Sequence, residues 1–341
     1  MKDLWKPLLD STALAVALQR LNDFTPSRWC KAYYLFSAGA VVAVAAMPNE
    51  VSRRLVDYGA RKFHEEEVKA KASRIQRDGK NWLLSLVSTL TSYGQVPHSW
   101  FITFYVASMA CSLLWFWQFA VDGRVLRVVA GSQASPTAKG QDERGAVSAS
   151  PVTLAQVGLA WTMMFLQGSR RLYEDLLVHG KSKSTMWIVH WVLGLSYYLF
   201  TSVAVWVEGS GAILDYQSTG ATDYTMSPFK ALVGISMFLY ASVSQYRCHR
   251  HLAGLKKYSL PELGLFRYLI CPHYFCECLV YLSLAIVSAP KGELLNKTLL
   301  CALAFVVVNL GVTAAGTRKW YAGKFGSKAV ETKWNMIPFI W

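Results

Sequence analysis

Apolar residues gather into seven long runs, at 32–48, 99–121, 151–169, 186–207, 231–246, 268–289 and 298–316. All are free of acidic and basic side chains other than histidine, except for Glu277 in the sixth. A helix needs about 20 such residues to cross a bilayer, and the fifth run reaches that length if its helix starts near Ser227. The apolar stretch at 82–93 is too short to span and suits a re-entrant or interfacial position. The pattern predicts an all-α integral membrane protein with about seven transmembrane helices, forming one polytopic domain over 1–341.

Composition agrees with the pattern. Hydrophobic residues make up 53% of the chain and charged residues only 16%, against about a quarter charged in soluble proteins. The net charge is +14, but the basic residues sit in blocks between apolar runs. They form no single patch or track, so a nucleic-acid partner is not expected. Of the 35 Lys and Arg, 23 fall in 49–98, 170–185, 247–267 and 317–341. That bias places those segments, and the C-terminus, in the cytosol.

The opposite side receives 208–230, which carries Glu208, Asp215 and Asp223 with a single lysine. It also receives the glycosylation sequon at Asn296 and Thr298, which hugs the membrane. An apolar N-terminal stretch at 8–21 is broken by Asp10 and Arg20 and makes no clean signal peptide. The segment 130–151, rich in small and polar residues, is expected to be a disordered loop. No internal repeat supports an inverted-repeat transporter.

Seven cysteines form no Cys-x-x-Cys pair, and Cys276 and Cys278 point to opposite sides of a helix. They suit buried apolar thiols rather than a metal clamp. Soluble-enzyme motifs are missing too: Gly209 and Gly211 lack the third glycine of a dinucleotide fingerprint and follow an apolar run, and there is no P-loop and no zinc-protease motif.

Ionisable groups at membrane depth cost several kcal/mol and mark function. Gln167, Arg170, Arg171, Tyr173 and Glu174 close the third run; as a bland alternative, they form a snorkelling basic end with a local ion pair. Gln245, Arg247, His249, Arg250 and His251, followed by Lys256 and Lys257, form either a cytosolic flank or a site for an anionic ligand such as a dinucleotide phosphate. His273 and Glu277 stand i and i+4, sharing one face inside the sixth run. His98 and His190 are weighed as packing histidines.

These clusters, in this order, resemble the steroid 5α-reductase family, and within it the polyprenol (polyprenal) reductase branch. The resemblance is carried by Val96-Pro97-His98 with Phe101, Arg170-Arg171 with Tyr173-Glu174, and Gln245 with His249. It continues through Gly264-Leu265-Phe266-Arg267-Tyr268, Cys271-Pro272-His273-Tyr274 with Glu277, and Trp320-Tyr321 with Lys324-Phe325 and Ile337-Pro338-Phe339. It covers roughly 95–341 and weakens towards the N-terminus and at 122–150.

The resemblance implies a seven-helix fold binding NADPH in a cavity open to the cytosol, with cofactor contacts at Arg170, Arg171, Lys256, His273, Glu277, Arg318 and Tyr321. It also implies a long-chain polyprenyl lipid substrate, an endoplasmic reticulum membrane and no obligate protein partner. Departures are His273 where many relatives have Asn, Arg318 where His is usual, and Ser259 where an Arg often precedes the proline. The tyrosine that meets the substrate ketone in the steroid enzymes has no counterpart, which argues against a steroid.

The implied reaction saturates the α-isoprene double bond. Hydride does not add to the isolated alkene of an allylic alcohol, whereas an α,β-unsaturated aldehyde accepts it once the oxygen is polarised. Polyprenal is therefore the expected substrate, with Tyr173, Glu174 and His249 as candidates for polarising the oxygen and delivering the proton. Rivals are a steroid or enoyl-thioester reductase of the same fold, a membrane methyltransferase using S-adenosylmethionine, and a transporter.

Overall fold

The computed structural model describes residues 24–48, 51–52, 55, 82–134, 152–178, 180, 184–220, 223–256 and 259–340. Each of the seven apolar runs lies on a helix: α1 Pro26–Ala45, α3 Ile102–Ala120, α5 Leu154–Leu177, α6 Ile188–Val207, α8 Pro228–Gly254, α9 Pro272–Val287 and α10 Lys297–Phe325. Helix α2 (Trp82–Ser92) covers the short apolar stretch, and α4 (Arg124–Ala134) and α7 (Ser210–Thr219) lie between the runs.

Three helical stretches among the described residues are long and apolar enough to cross a membrane: His98–Ala120, Ile188–Val207 and Lys297–Phe325. Helix α9 has 16 residues, short of the usual span.

Local signals fix the helix starts. Thr153 caps α5 by accepting from the Gln156 amide, and the Gln156 side chain accepts from the Thr153 amide in return. Pro26, Pro228 and Pro272 occupy first-turn positions of α1, α8 and α9, where a missing N–H costs nothing. Asn296 caps α10 through Thr298 and Leu299 and is itself 1% exposed. Its amide donates to the Ser288 carbonyl at 3.1 Å, so the sequon asparagine is a buried helix cap in the folded chain.

Tertiary contacts sort the connections into two ends. At one end, β1 (Gln95–Pro97) pairs antiparallel with β2 (Thr185–Trp187), joining the approaches to α3 and α6. The C-terminal tail returns there as well: Ile270 N–H donates to Trp334 O, and Cys271 N–H to Asn335 O.

At the other end Lys31 pairs with Glu208 at 3.6 Å, Thr298 donates its hydroxyl to Glu208, and Lys230 donates to three carbonyls at Ala289, Pro290 and Glu293. Two expectations change. The segment 208–230 contains α7, whose Ile213 is fully buried. The expected disordered loop begins inside α4, with Ala130 fully buried, while 135–151 lies outside the described residues. Two three-residue strands also interrupt the all-α expectation. They arise because two loops meet at the same end and pair their free backbone groups.

Helices α8 and α9 approach closely at Gly234, where an added Cβ would stand 2.3 Å from Val287 Cγ1 and 3.2 Å from the Ser283 carbonyl oxygen. Small residues permit such approaches between membrane helices. Gly234→Val should therefore destabilise the protein by about 1–3 kcal/mol through overpacking, read as a lower melting temperature in detergent. An unchanged melting temperature would show that this contact yields freely.

Candidate functional site

The site is built on the second, third, fifth and sixth apolar runs, on α3, α5, α8 and α9, whose polar side chains converge near the end of the bundle that holds the β-pair and the tail. A glutamine, two arginines and a glutamate on α5 meet glutamine and histidine on α8 because Gln167, Arg170, Arg171 and Glu174 recur at helical spacing. Glu174 is completely buried. It accepts from Arg170 Nη1 and Arg171 Nη1, and its Oε2 lies 2.7 Å from His249 Nδ1. Arg171 also donates through Nη2 to the Tyr105 hydroxyl and lies over the Tyr105 ring, 4.8 Å from its centroid.

His249 Nδ1 is also 2.8 Å from Arg171 Nη1. One nitrogen cannot donate and accept along both directions, and a guanidinium only donates. The carboxylate is the better partner, so we assign the proton to Nδ1, donating to Glu174, with the Arg171 approach a shared contact with the same carboxylate.

A second carboxylate extends the network. Glu277 Oε2 accepts from Gln167 Nε2 at 3.2 Å and from Gln245 Nε2. Gln245 Oε1 accepts from Gln167 Nε2 at 3.1 Å and from Arg170 Nη2. Gln245 Nε2 donates in addition to the His273 carbonyl at 3.1 Å. Two guanidiniums and two carboxylates therefore share one chain of hydrogen bonds. Such closure matters because an uncompensated charge at this depth is costly.

Two groups in the network keep unused capacity. Arg170 Nε is buried with no hydrogen-bond partner. Glu277, half-buried, takes both of its hydrogen bonds on Oε2, so Oε1 remains an open acceptor among the described residues.

The expected site residues divide accordingly. Arg170, Arg171, Glu174 and His249 join directly, and Glu277 joins through Gln167 and Gln245. His273 follows through its backbone carbonyl, and its ring lies 5.5 Å from that of His249. Tyr173 does not join them: it is 49% exposed, because one residue's rotation carries it off the face that buries Glu174. Lys256 is exposed beyond the end of α8.

Arg318 donates to the Lys333 carbonyl and, at 3.4 Å, to Asn335 Oδ1 and the Glu331 carbonyl, so it clasps the tail. Tyr321 is buried among aromatic neighbours, Trp320 at 5.3 Å and Phe325 at 6.0 Å between ring centroids. Tyr105 was missed, since one tyrosine among the 17 carries no mark of its partner on another helix. His98 stacks on Phe101 and His190 meets Trp187 edge-on, as packing histidines do.

Comparison with known proteins bears on the same elements. Residues 181–341 match the family described as 3-oxo-5-alpha-steroid 4-dehydrogenase. The match covers 161 of the 341 residues, at the C-terminal end. Among similar proteins are polyprenal reductases. That of Xenopus tropicalis is 32% identical over 194 residues, covering 53% of this chain and 60% of the relative. That of Saccharomyces cerevisiae is 33% identical over 183 residues, covering 53% and 64%. That of Homo sapiens is 26% identical over 196 residues, covering 53% and 59%. These alignments thus span about three-fifths of each relative's length. The matched segment holds His249, Gln245, His273 and Glu277, while Arg170, Arg171 and Glu174 lie before it on α5. The polar network thus crosses from α3 and α5, before the matched segment, to α8 and α9 within it.

Proposed function

We propose that this chain is an NADPH-dependent oxidoreductase of the endoplasmic reticulum membrane, acting on a CH–CH group and saturating the α-isoprene double bond of polyprenal. The single observation that carries this reading is the closed network joining Glu174, His249, Gln245 and Glu277, built largely within a domain whose relatives include polyprenal reductases. The seven helices, with the network's end of the bundle facing the cytosol, belong to the same reading. They are supported by the basic-residue bias and by the sorting of connections into two ends.

The residues fit a nicotinamide cofactor. Glu277 Oε1 is an open acceptor suited to a carboxamide N–H, His273 adds a side chain one turn away, and the buried Arg170 Nε is a donor in want of an acceptor. Lys256, exposed at the end of α8, suits a phosphate. When bound, NADPH supplies the hydride that goes to the β-carbon of the enal.

The chain's own task is the proton and the oxygen. Glu174 holds His249 through Nδ1, which turns Nε2 outward from the ion pair and fixes its tautomer. His249, carrying a second proton on Nε2 with Glu174 balancing the imidazolium, is the acid we assign to the α-carbon, and giving up that proton returns it to the Nδ1–H tautomer that Glu174 holds; Tyr173 faces away and Glu174 is committed to two arginines. An exposed apolar flank receives the isoprenoid tail.

The family description names a steroid reaction, so the steroid is the competing substrate. Purified protein in detergent, given NADPH with polyprenal, polyprenol or a 3-keto-4-ene steroid separately, should oxidise NADPH with polyprenal alone. Turnover with polyprenol and no other dehydrogenase would remove the aldehyde argument. Turnover with the steroid alone would replace the substrate, and failure to bind NADPH would remove the reductase reading.

A further inference from the structure

Helix α8 buries one face and exposes the other. Gln245, Cys248 and His249 face inward, whereas Phe229, Leu232, Leu239, Tyr240 and Val243 are exposed. With Ile235, exposed as well, the outward strip climbs the helix through Phe229, Leu232, Ile235, Leu239 and Val243 at three- and four-residue steps and ends in basic residues. There an open groove of about 580 Å³ is lined by Val243, Tyr246, Arg247, Arg250 and His251. Arg250 approaches the Tyr246 ring at 5.9 Å. No carboxylate lines the groove among the described residues, neither arginine takes part in an ion pair with them, and His251 Nε2 is buried without a hydrogen-bond partner.

An apolar strip capped by an imidazole and by two guanidiniums that have no ion-pair partner among the described residues has the chemistry of a site for an amphiphile. From Leu232 to Val243 the strip rises about 16 Å, at 1.5 Å per residue, enough for an acyl chain. Guanidinium groups recognise phosphate in two-point fashion, and Tyr246 marks the interfacial level at which headgroups sit. Arg247 and His249 are two residues apart and therefore on different faces of the helix, so the groove is separate from the Glu174 network.

We propose that this groove holds the phosphate headgroup of an anionic glycerophospholipid, with an acyl chain along α8. The test uses the full chain in vesicles of phosphatidylcholine containing phosphatidylinositol, followed by native mass spectrometry of the protein released in mild detergent. Wild type should retain phosphatidylinositol over phosphatidylcholine. Arg247→Gln with Arg250→Gln should lower that retention about 30-fold, the worth of two interfacial cations. A control variant, Lys319→Gln with Lys328→Gln, removes equal charge from exposed positions and should retain the lipid as wild type does.

Equal retention by the arginine variant, or equal loss by the lysine control, would overturn the site. Displacement of the lipid by inorganic phosphate would show a free-anion site instead. NADPH affinity should be unchanged in the arginine variant; a fall there would assign the groove to the cofactor and overturn the lipid reading.

Discussion

Glu174→Gln should destabilise the protein by about 3–5 kcal/mol, the usual cost of removing one partner of a buried ion pair. The carboxylate has no solvent exposure, so water cannot replace it. It also answers three donors at once, from Arg170, Arg171 and His249. The amide would keep one acceptor oxygen but turn an NH₂ group towards a guanidinium, leaving two positive charges against the single carboxylate of Glu277. Thermal unfolding of the detergent-solubilised protein should reveal the loss, and turnover per folded molecule should fall as well, because His249 loses the group that fixes its tautomer. Glu174→Asp keeps the charge and should recover much of the stability. A Gln variant that melts with wild type and turns over normally would mean that the carboxylate is not the centre of the network.

Glu277→Gln should behave in the opposite manner, with the fold kept and the cofactor lost. The substituted amide still offers an oxygen to Gln167 and Gln245, the two donors that now bind Oε2, and Glu277 is only half-buried, so stability should change little. NADPH affinity should drop about 10- to 150-fold, matching the roughly 1.5–3 kcal/mol carried by a hydrogen bond to a charged acceptor. Titration by the fluorescence of bound NADPH measures this directly. An unchanged dissociation constant would remove Glu277 from the cofactor site. A large fall in melting temperature would instead make it a structural member of the network. Together the two substitutions separate holding the bundle, assigned to Glu174, from holding the nicotinamide, assigned to Glu277.

The sequence by itself determined the helices, because a run of some twenty apolar residues has few other ways to satisfy its backbone in an apolar medium. It also singles out Arg170, Arg171, Glu174, His249 and Glu277 as groups that need partners, because charge at membrane depth is costly. Capping was legible in Thr153 with Gln156 and in the prolines at first turns, since those signals act within one turn of the chain.

What only the tertiary structure decided is partnership. Tyr173 and Glu174 are adjacent in sequence, yet a rotation of about 100° per residue exposes one and buries the other against α8. Tyr105 has no local feature that predicts Arg171, 66 residues away, and Gln245 becomes the bridge between two carboxylates only when α5, α8 and α9 pack together. Arg318 donates to the returning tail at Lys333 and Asn335, a contact 15 to 17 residues along the chain that nothing in its local sequence announces. Local physics sets which residues must be buried and which must be paired. The pairing itself depends on contacts between helices far apart in sequence, which no periodicity encodes.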